Sequence, residues 1–373
     1  MSTTYDVLPP LYARWMDEML PGPIEPESNA TCADCAMCRK SDDDASQSGF
    51  WDPNVKCCSY QPRLANYLVG GALLDEPGDD PIAVEGRAQL EARLDAGVGV
   101  TPLGLLQNPA YMMLYKGAQG AFGRAHALRC PHWVDVNGGM CGIWRHREST
   151  CATFFCKHLR GAVGKSFWNA VHQVLTHVEN NLAIWCLLEL QVDLDIMKKL
   201  LAPSAISERD RVGPEQLDGR IAGGIPRNDW GSWHGREREF YRECARRVQA
   251  LTWEQVVAIC GPGLQALVQL TRRAYANAHD ATVPTHLGMA MVQIVRAKTR
   301  DGEKVARISS YSANDPLILP ERLANALHRF DGTRSTNDVM FDIVAEEKMG
   351  INRALVRRLV DFGVLVEVEK PAS

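Results

Sequence analysis

A cysteine-rich stretch constrains the fold of this chain more than any other feature of its sequence. Nine of the twelve cysteines lie within it, between residues 32 and 156. They are Cys32, Cys35, Cys38, Cys57, Cys58, Cys130, Cys141, Cys151 and Cys156. Residues 123–160, around the last four, show little apolar periodicity and are rich in Cys, His, Trp and Arg. Such a stretch folds around bound ligands more readily than around an apolar core, so the rest of the chain is predicted to be its helical support.

Length and charge exclude several classes of protein. A chain of 373 residues can form two or three domains and bury a substantial core. Its net charge of −4 gives no electrostatic reason to expect nucleic acid or an anionic membrane as partner. The first residues lack a basic region followed by an apolar run, so no signal peptide is expected. The most apolar window, 182–190, is far shorter than the ~20 residues of a membrane span. These observations predict a cytoplasmic protein that binds neither membrane nor nucleic acid.

The spacing of the thiols indicates the kind of ligand. Clustered cysteines in the reducing cytosol usually bind metal rather than form disulfides. Cys32, Cys35 and Cys38 can wrap one polynuclear cluster, as in ferredoxin-type iron–sulfur proteins, whereas a zinc ribbon uses two separate Cys-x2-Cys pairs. Nine thiols would serve two four-iron clusters, which use eight, or one cluster with a mononuclear metal. The prediction is therefore one or two 4Fe-4S clusters, or iron, with zinc as the alternative.

The second half of the stretch carries a resemblance to a known family. Its residues are Cys130-Pro131-His132, Cys141-Gly142-Ile143-Trp144-Arg145-His146-Arg147, Cys151 and Phe154-Phe155-Cys156. This run resembles the closing half of the YkgJ-type cysteine-cluster family, whose pattern is roughly Cys-Pro, a gap and Cys-x-Ile-Tyr-x-x-Arg-Pro-x-x-Cys-Arg-x-Phe. The opening triad and the Cys57-Cys58 pair resemble the amino-terminal cysteines of the same family. The resemblance covers about residues 30–160 and implies a zinc- or iron-chelating role for the matched cysteines, without a particular reaction.

Several positions depart from that pattern. Trp144 replaces the usual Tyr, Glu148 the Pro and Ala152 the Arg, and a long insertion separates the triad from the Cys-Cys pair. Arg147 is interpreted as orienting the loop through backbone carbonyls or as donating hydrogen bonds towards cluster sulfurs, with a surface salt bridge as the alternative. Three histidines nearby are interpreted either as metal ligands or as solvent-facing or loop-packing residues: His132, His146 and His158.

One long helix is predicted over residues 166–199, with Ser166 as its N-cap. Its apolar stripe is Phe167, Val171, Val174, Val178, Leu182, Trp185, Val192 and Ile196. A polar line at seven-residue spacing borders the stripe: His172, Glu179, Cys186 and Asp193, with Glu189 within the stripe. Carboxylates with a histidine on a half-buried helix edge can form an open metal site or a proton relay, so His172 and Glu179 are the catalytic candidates. Ordinary interhelical hydrogen bonds are the alternative.

The segments that follow the long helix are assigned mainly to support. Cys186, Cys244 and Cys260 fall on predicted helices and are interpreted as small core residues. Residues 203–232 are predicted to form a connecting arm on the surface. In the run 230–237, two indoles either pack into an interdomain seam or line a pocket with His234 or Glu237 as acid or base. Residues 289–297 and 303–310 flank an Asp-Gly turn that predicts a β-hairpin.

The tail is predicted to be a separate module. It reads as three helices and a strand, at residues 321–330, 336–346, 352–361 and 364–368. Residues 327–335 and 359–365 resemble small winged-helix modules of the PqqD type, which implies recognition of a peptide or protein. The basic residues of the third helix, Arg353, Arg357 and Arg358, are followed by Asp361, Glu367 and Glu369. The patch is therefore not strongly basic, and DNA is not the expected partner.

The sequence thus predicts a mainly α protein in three parts. An irregular cysteine-rich metal-binding domain (1–162) packs on a helical scaffold with a β-hairpin (163–315), and a winged-helix-like module (316–373) follows. The first functional hypothesis is an iron–sulfur or multi-iron metalloprotein acting on an unknown substrate as an oxidoreductase or transferase. The second is a zinc-stapled, non-catalytic adaptor that binds a protein or peptide through residues 316–373. A lysine-methylase-like role is a third.

Overall fold

The fold is mainly helical with small antiparallel sheets, as the sequence predicted. The computed structural model describes residues 7–40, 50–97, 99–107, 109–201, 230–299 and 301–368. Most of the arm predicted at 203–232 lies outside these ranges. Within them, no helix has both the length and the apolar character needed to cross a membrane.

The helices are numbered here in chain order. They are α1 (Pro10–Met19), α2 (Asn66–Leu74), α3 (Pro81–Ala96), α4 (Pro109–Gly117), α5 (Ser149–Thr153), α6 (Gly161–Glu189), α7 (Leu194–Leu201), α8 (Glu237–Ala250), α9 (Trp253–Cys260), α10 (Pro262–His279), α11 (Glu321–Ala326), α12 (Thr336–Glu347) and α13 (Arg353–Asp361). Short 3-10 turns, such as Lys56–Ser59, occur between them.

The strands are short, and all of their pairings are antiparallel. They are β1 (Leu64–Ala65), β2 (Val100–Thr101), β3 (Gly104–Leu105), β4 (Trp133–Val134), β5 (Met140–Cys141), β6 (Leu287–Met289), β7 (Gln293–Lys298), β8 (Lys304–Ser309), β9 (Leu317–Pro320) and β10 (Leu365–Glu367). They form sheets in the orders β1-β3-β2, β4-β5, β7-β8-β9 and β10-β6. The β7-β8 pair is the hairpin that the Asp-Gly turn predicted.

The main apolar core is built around helix α6. Its inward residues Val171, Val174 and Val178 are fully buried, and helices α8, α9 and α10 pack around it. Helix α8 also lies directly on α2, because Gly70 has no side chain there. A Cβ atom on Gly70 would stand 1.7 Å from the carbonyl oxygen of Tyr241, so any other residue would push the two helices apart.

The prediction of one helix over residues 166–199 is wrong at both ends. Helix α6 begins at Gly161, so Ser166 lies inside it and is not an N-cap. It ends at Glu189, and Gln191 adopts a left-handed backbone conformation with φ of 53° before α7 starts a new helix. The helical spacing of apolar residues continues across this turn, so periodicity alone does not show the break. As a result, Asp193 does not lie on the long helix.

Local side-chain and backbone chemistry accounts for the ends of other helices. Thr252 and Gln255 form the capping box of α9 through reciprocal side chain–backbone hydrogen bonds. Gly97 ends α3 in a left-handed conformation with φ of 70°. The apolar stretch 66–74 is the complete helix α2.

A second apolar cluster holds the C-terminal part of the chain together. It runs from Leu287 to Leu365 and includes residues of β8 and β9 as well as α11, α12 and α13. The three helices and the strand predicted for the tail are present. The strand, β10, pairs with β6. Arg160 joins this part to the main core, since its guanidinium contacts both carboxylate oxygens of the buried Asp361 at 2.5 and 2.8 Å.

Candidate metal centre

The nine predicted ligand cysteines lie in four segments, residues 32–38, 57–58, 130–141 and 151–156, that come together beside the main core. Six of the thiols line one cavity of about 50 Å³: Cys32, Cys35, Cys57, Cys58, Cys141 and Cys156. The other three adjoin it. Cys38 packs with Cys35 and Trp51, and the amide of Cys130 donates to the carbonyl of Cys58 at 2.6 Å. All twelve cysteines are free thiols.

Cys151 is presented by the short helix α5, on the same side as Cys130 and Cys141. Burial raises the pKa of the Cys151 thiol, and the charges of Glu148, Cys130 and Cys141 raise it further. Burial likewise raises the pKa of Cys32 to about 11 and that of Cys130 to about 12. Each neighbouring thiolate therefore makes the next one harder to form. Thiols placed in this way bind a proton strongly unless a cation replaces it.

Lys56 is a cationic residue of the cavity that was not among the predicted site residues. Its side chain lines the cavity and is only 6% exposed. The ammonium donates to the carbonyls of Cys32 and Gly139 at 2.9 and 3.1 Å, and it lies 5.6 Å from the ring centre of Trp133. The backbone of Lys56 is left-handed, with φ of 51°. The only sequence signal was its position before Cys57, which is equally typical of a surface lysine.

Arg147 orients the loop that follows Cys141, as one of its interpretations predicted. Its guanidinium donates to the carbonyls of Trp144 and Cys151 at 3.2 and 3.1 Å. It also lies 3.4 Å from the ring centre of Trp144. The residue is 8% exposed, so the alternative interpretation as a surface salt bridge is wrong.

Glu148 fixes the helix that presents Cys151. Its carboxylate accepts from the amides of Thr150 and Cys151 at 2.7 and 2.9 Å and so caps the N-terminus of α5. Glu148 stands where the resembling family has proline. The sequence signal for this cap was the acidic residue directly before Ser149.

Glu179 connects the long helix to the same short helix. Its carboxylate accepts from the amide and hydroxyl of Ser149 at 2.6 and 2.8 Å and from the hydroxyl of Tyr12. Burial raises the pKa of Glu179 to about 8, and the nearby charge of Glu148 adds to this effect. Of the predicted polar line, Glu179 is therefore the member that contacts the cysteine-rich part, and its contact is with the support of Cys151.

The other members of that line lie elsewhere. His172 is half-buried, and its Nδ1 has no hydrogen-bond partner within the described ranges. Cys186 lies in the main core, and Glu189, predicted within the apolar stripe, is exposed and pairs with Arg247 at 3.1 Å. These positions do not assemble an open metal site along α6. The catalytic roles of His172 and Glu179 stay predictions.

The three loop histidines are placed as packing groups. His132 is buried with Nε2 3.4 Å from the Arg93 guanidinium, and burial lowers its pKa to about 3. His146 contacts the carboxylate of Asp75 at 2.9 Å. His158 is also buried, which lowers its pKa to about 4.

The remaining sequence candidates are structural. Cys186, Cys244 and Cys260 are buried in the main core, as predicted. Trp230 packs edge-on against Phe240 and Tyr241, and the indole of Trp233 donates to the carbonyl of Leu190 at 3.0 Å, so both indoles of this run pack with the main core. His234 and Glu237 stand 3.8 Å apart, and neither lines the thiol cavity.

The donor set fits a metal–thiolate centre in its chemistry, because many sulfurs and a buried ammonium surround one cavity. Across the described part of the chain, no group of three or more His, Cys, Asp or Glu side chains is arranged so that it could hold a metal ion. The assignment of individual ligands therefore stays a prediction from the sequence.

Comparisons with models of protein families, with curated proteins and with solved structures each find no match to this chain. The resemblances to the YkgJ-type and PqqD-type families rest on the motifs alone.

Proposed function

We propose that the protein is an iron–sulfur or multi-iron metalloprotein that acts as a redox or metal-dependent enzyme, an oxidoreductase or a transferase. One observation carries this proposal: thiols from four separate segments surround one cavity that also holds the buried ammonium of Lys56. A lysine is rarely buried without a charge to balance, and thiolates would supply that charge.

The distribution of the thiols favours a polynuclear centre. Four sulfurs around a single zinc ion stand only about 3.8 Å apart, because each Zn–S bond is about 2.3 Å long. The sulfurs that hold a four-iron cluster bind different irons and are spread over a larger surface. Six cysteines line the cavity, which is more than the four that a single zinc ion binds.

The chain's own residues would hold such a centre and adjust its charge. The nine cysteines would be its ligands, and the bound centre would supply electron transfer or an iron with a position open to substrate. Lys56 and Arg147 would offset the negative charge of the thiolates, since both lower the pKa of Cys32. Glu148 and Glu179 would keep α5, and with it Cys151, in place.

The test is a metal and sulfide analysis of protein purified without oxygen. Iron with acid-labile sulfide, or several irons per chain, is the expected result. Colourless protein with stoichiometric zinc and no sulfide would overturn the proposal. Cys35→Ser and Cys151→Ser are each expected to reduce metal content. Cys260→Ser is the matched control, because that thiol lies in the main core. Equal metal loss from all three variants would show that the division of the cysteines is wrong.

A second candidate is the zinc-stapled adaptor, and one observation favours it. The hairpin strand β7 has five of its six residues exposed, and Val295 within it is 50% exposed. Within the described sheet, β7 pairs only with β8, so one edge is available to an extended peptide. In this proposal the three helices and sheet act as a winged-helix-like recognition module. Stoichiometric zinc, together with loss of peptide binding in Val295→Lys, would support the adaptor.

A further inference from the structure

A second and much larger cavity adjoins the thiol site. It is a groove of about 530 Å³ between the end of α2, the first half of α3 and the loop of residues 141–146. Cys141 lines both this groove and the thiol cavity. A molecule in the groove would therefore contact one of the proposed ligand cysteines from the solvent side.

Two glycines bring the groove and the thiol site together. Gly86 of α3 lies against Gly142, and a Cβ atom on Gly86 would stand 2.1 Å from the carbonyl oxygen of Gly142. A Cβ atom on Gly142 would stand 2.5 Å from the Cα atom of Gly86. Only glycine at both positions allows the helix to lie directly on the loop that carries Cys141.

The floor of the groove is apolar. Leu90 is fully buried and Ile143 is 4% exposed, and Ile82, Ala83 and Ala72 extend the same surface towards the opening. Such a surface can bind an aliphatic chain, because contact between the two removes apolar area of both from water.

The rim of the groove carries unbalanced negative charge. Its cations already have acidic partners: Arg145 contacts the carboxylate of Asp75 at 3.1 Å, and Arg87 lies 3.8 Å from the carboxylate of Glu91. Glu76 and Asp80 are exposed on the rim, and neither has a basic partner among the residues that the structure describes. The charge that remains for a ligand is therefore negative.

We infer that this groove binds an aliphatic cation. Its ammonium or guanidinium group lies at the rim beside Glu76 and Asp80, and its carbon chain lies on the apolar floor against Cys141. This orientation directs the carbon chain, not the charged group, towards the thiol site. The inference deepens the proposed function and rests on it only for the claim that the ligand meets a metal centre.

The test uses the full-length protein as purified and n-hexylammonium as the probe. Hexanoate has the same chain length and the opposite charge, so it is the matched control ligand. Binding is followed by calorimetry and by tryptophan fluorescence, because Trp144 lines the groove and is 41% exposed. Trp144→Phe identifies the part of the signal that comes from the groove. Hexylammonium is expected to bind at least about tenfold more tightly than hexanoate, and added salt to reduce the difference.

Two variants locate the binding. Ala83→Trp fills the groove and is expected to weaken binding of hexylammonium by about tenfold or more. Glu76→Gln, on the exposed rim, is expected to weaken it by about two- to fivefold. Asp79→Asn removes the same charge from a neighbouring residue outside the groove lining and is the matched control. Equal binding of hexanoate, or unchanged binding in both Ala83→Trp and Glu76→Gln, would overturn the inference.

The metal analysis separates this inference from the proposed function. A protein without iron that still binds hexylammonium through Glu76 would retain the groove site and refute the metal proposal. If the protein contains iron and both groove variants bind hexylammonium as tightly as wild type, only the groove site is refuted. If both proposals hold, hexylammonium changes the absorption spectrum of the bound centre, and Ala83→Trp abolishes that change.

Discussion

The cysteine-rich part and the C-terminal part of this molecule are held together in different ways. Around the thiols, the local apolar cluster of the described residues has three buried members, Cys35, Cys38 and Trp51. Charged groups such as Lys56 and Glu148 are buried beside them. The C-terminal part instead buries a continuous apolar cluster in which Ile343 and Val356 are fully enclosed.

This difference indicates two sources of stability. Burial of apolar side chains stabilises the C-terminal part without any ligand. The cysteine-rich part buries polar and charged groups, which cost free energy unless they are paired. A bound metal centre would contribute its binding free energy to that part alone. Changing each source separately tests whether the two parts depend on different interactions.

Removal of metal is expected to have the largest effect. Chelation of the reduced protein should expose the amides of residues 50–60 and 130–156, because their segments depend on the ligand for their arrangement. Amides of residues 339–343 and 356–359 should keep their protection from hydrogen exchange. The measurement is hydrogen exchange by mass spectrometry before and after chelation. Equal loss in both parts would mean that the two are one cooperative unit.

Truncation of the C-terminal core tests the other source. Ile343→Ala leaves a cavity in the second apolar cluster and should lower the free energy of unfolding of this part by about 2–5 kcal/mol. Val344→Ala, next to it on α12 and 47% exposed, should change it by less than about 0.5 kcal/mol. Denaturant unfolding measures both values. A loss of bound metal in Ile343→Ala would contradict the separation of the two parts.

Lys56 tests the role of charge at the thiol site. Lys56→Met leaves the carbonyls of Cys32 and Gly139 without a donor, at a cost of about 1–3 kcal/mol. It should also lower the midpoint potential of the centre, because a positive charge favours the more negative, reduced state. Lys56→Arg retains the charge at the same left-handed backbone position, so its potential should stay closer to wild type. Equal potentials in both variants would remove Lys56 from the proposed centre.

The features that the sequence predicted correctly depend on neighbouring residues. The Asp-Gly hairpin is determined within a few positions. The burial of Cys186 and Cys244 followed from helical spacing. These predictions were correct because each feature depends on nearby residues and not on contacts between distant segments.

The features that the sequence did not predict depend on distant contacts. Lys56 is buried because its ammonium reaches Gly139, 83 residues away. Gln191 ends α6 although the apolar spacing continues past it, so periodicity alone could not locate the break. The groove adjoins the thiol site because Gly86 and Gly142, from distant segments, lie against each other.

Glu179 gives the smallest predicted effect and tests how the main core supports the thiol site. Its folded pKa of about 8 exceeds the usual value near 4.5, so the folded state holds a proton that the unfolded state has lost. Ionisation of Glu179 in the unfolded state should therefore lower the free energy of unfolding as pH rises from 6.5 towards 8, by at most about 1.4 kcal/mol per pH unit. The histidines with lowered pKa act in the opposite direction below pH 6.5. Above pH 6.5, the difference in the pH dependence of the free energy of unfolding between wild type and Glu179→Gln gives the contribution of Glu179. Denaturant unfolding at pH 6.5, 7.2 and 8 measures it, and identical slopes for the two proteins would show that Glu179 is ionised when folded. In that case its contacts with Ser149 and Tyr12 would support α5 as a carboxylate rather than as a protonated acid.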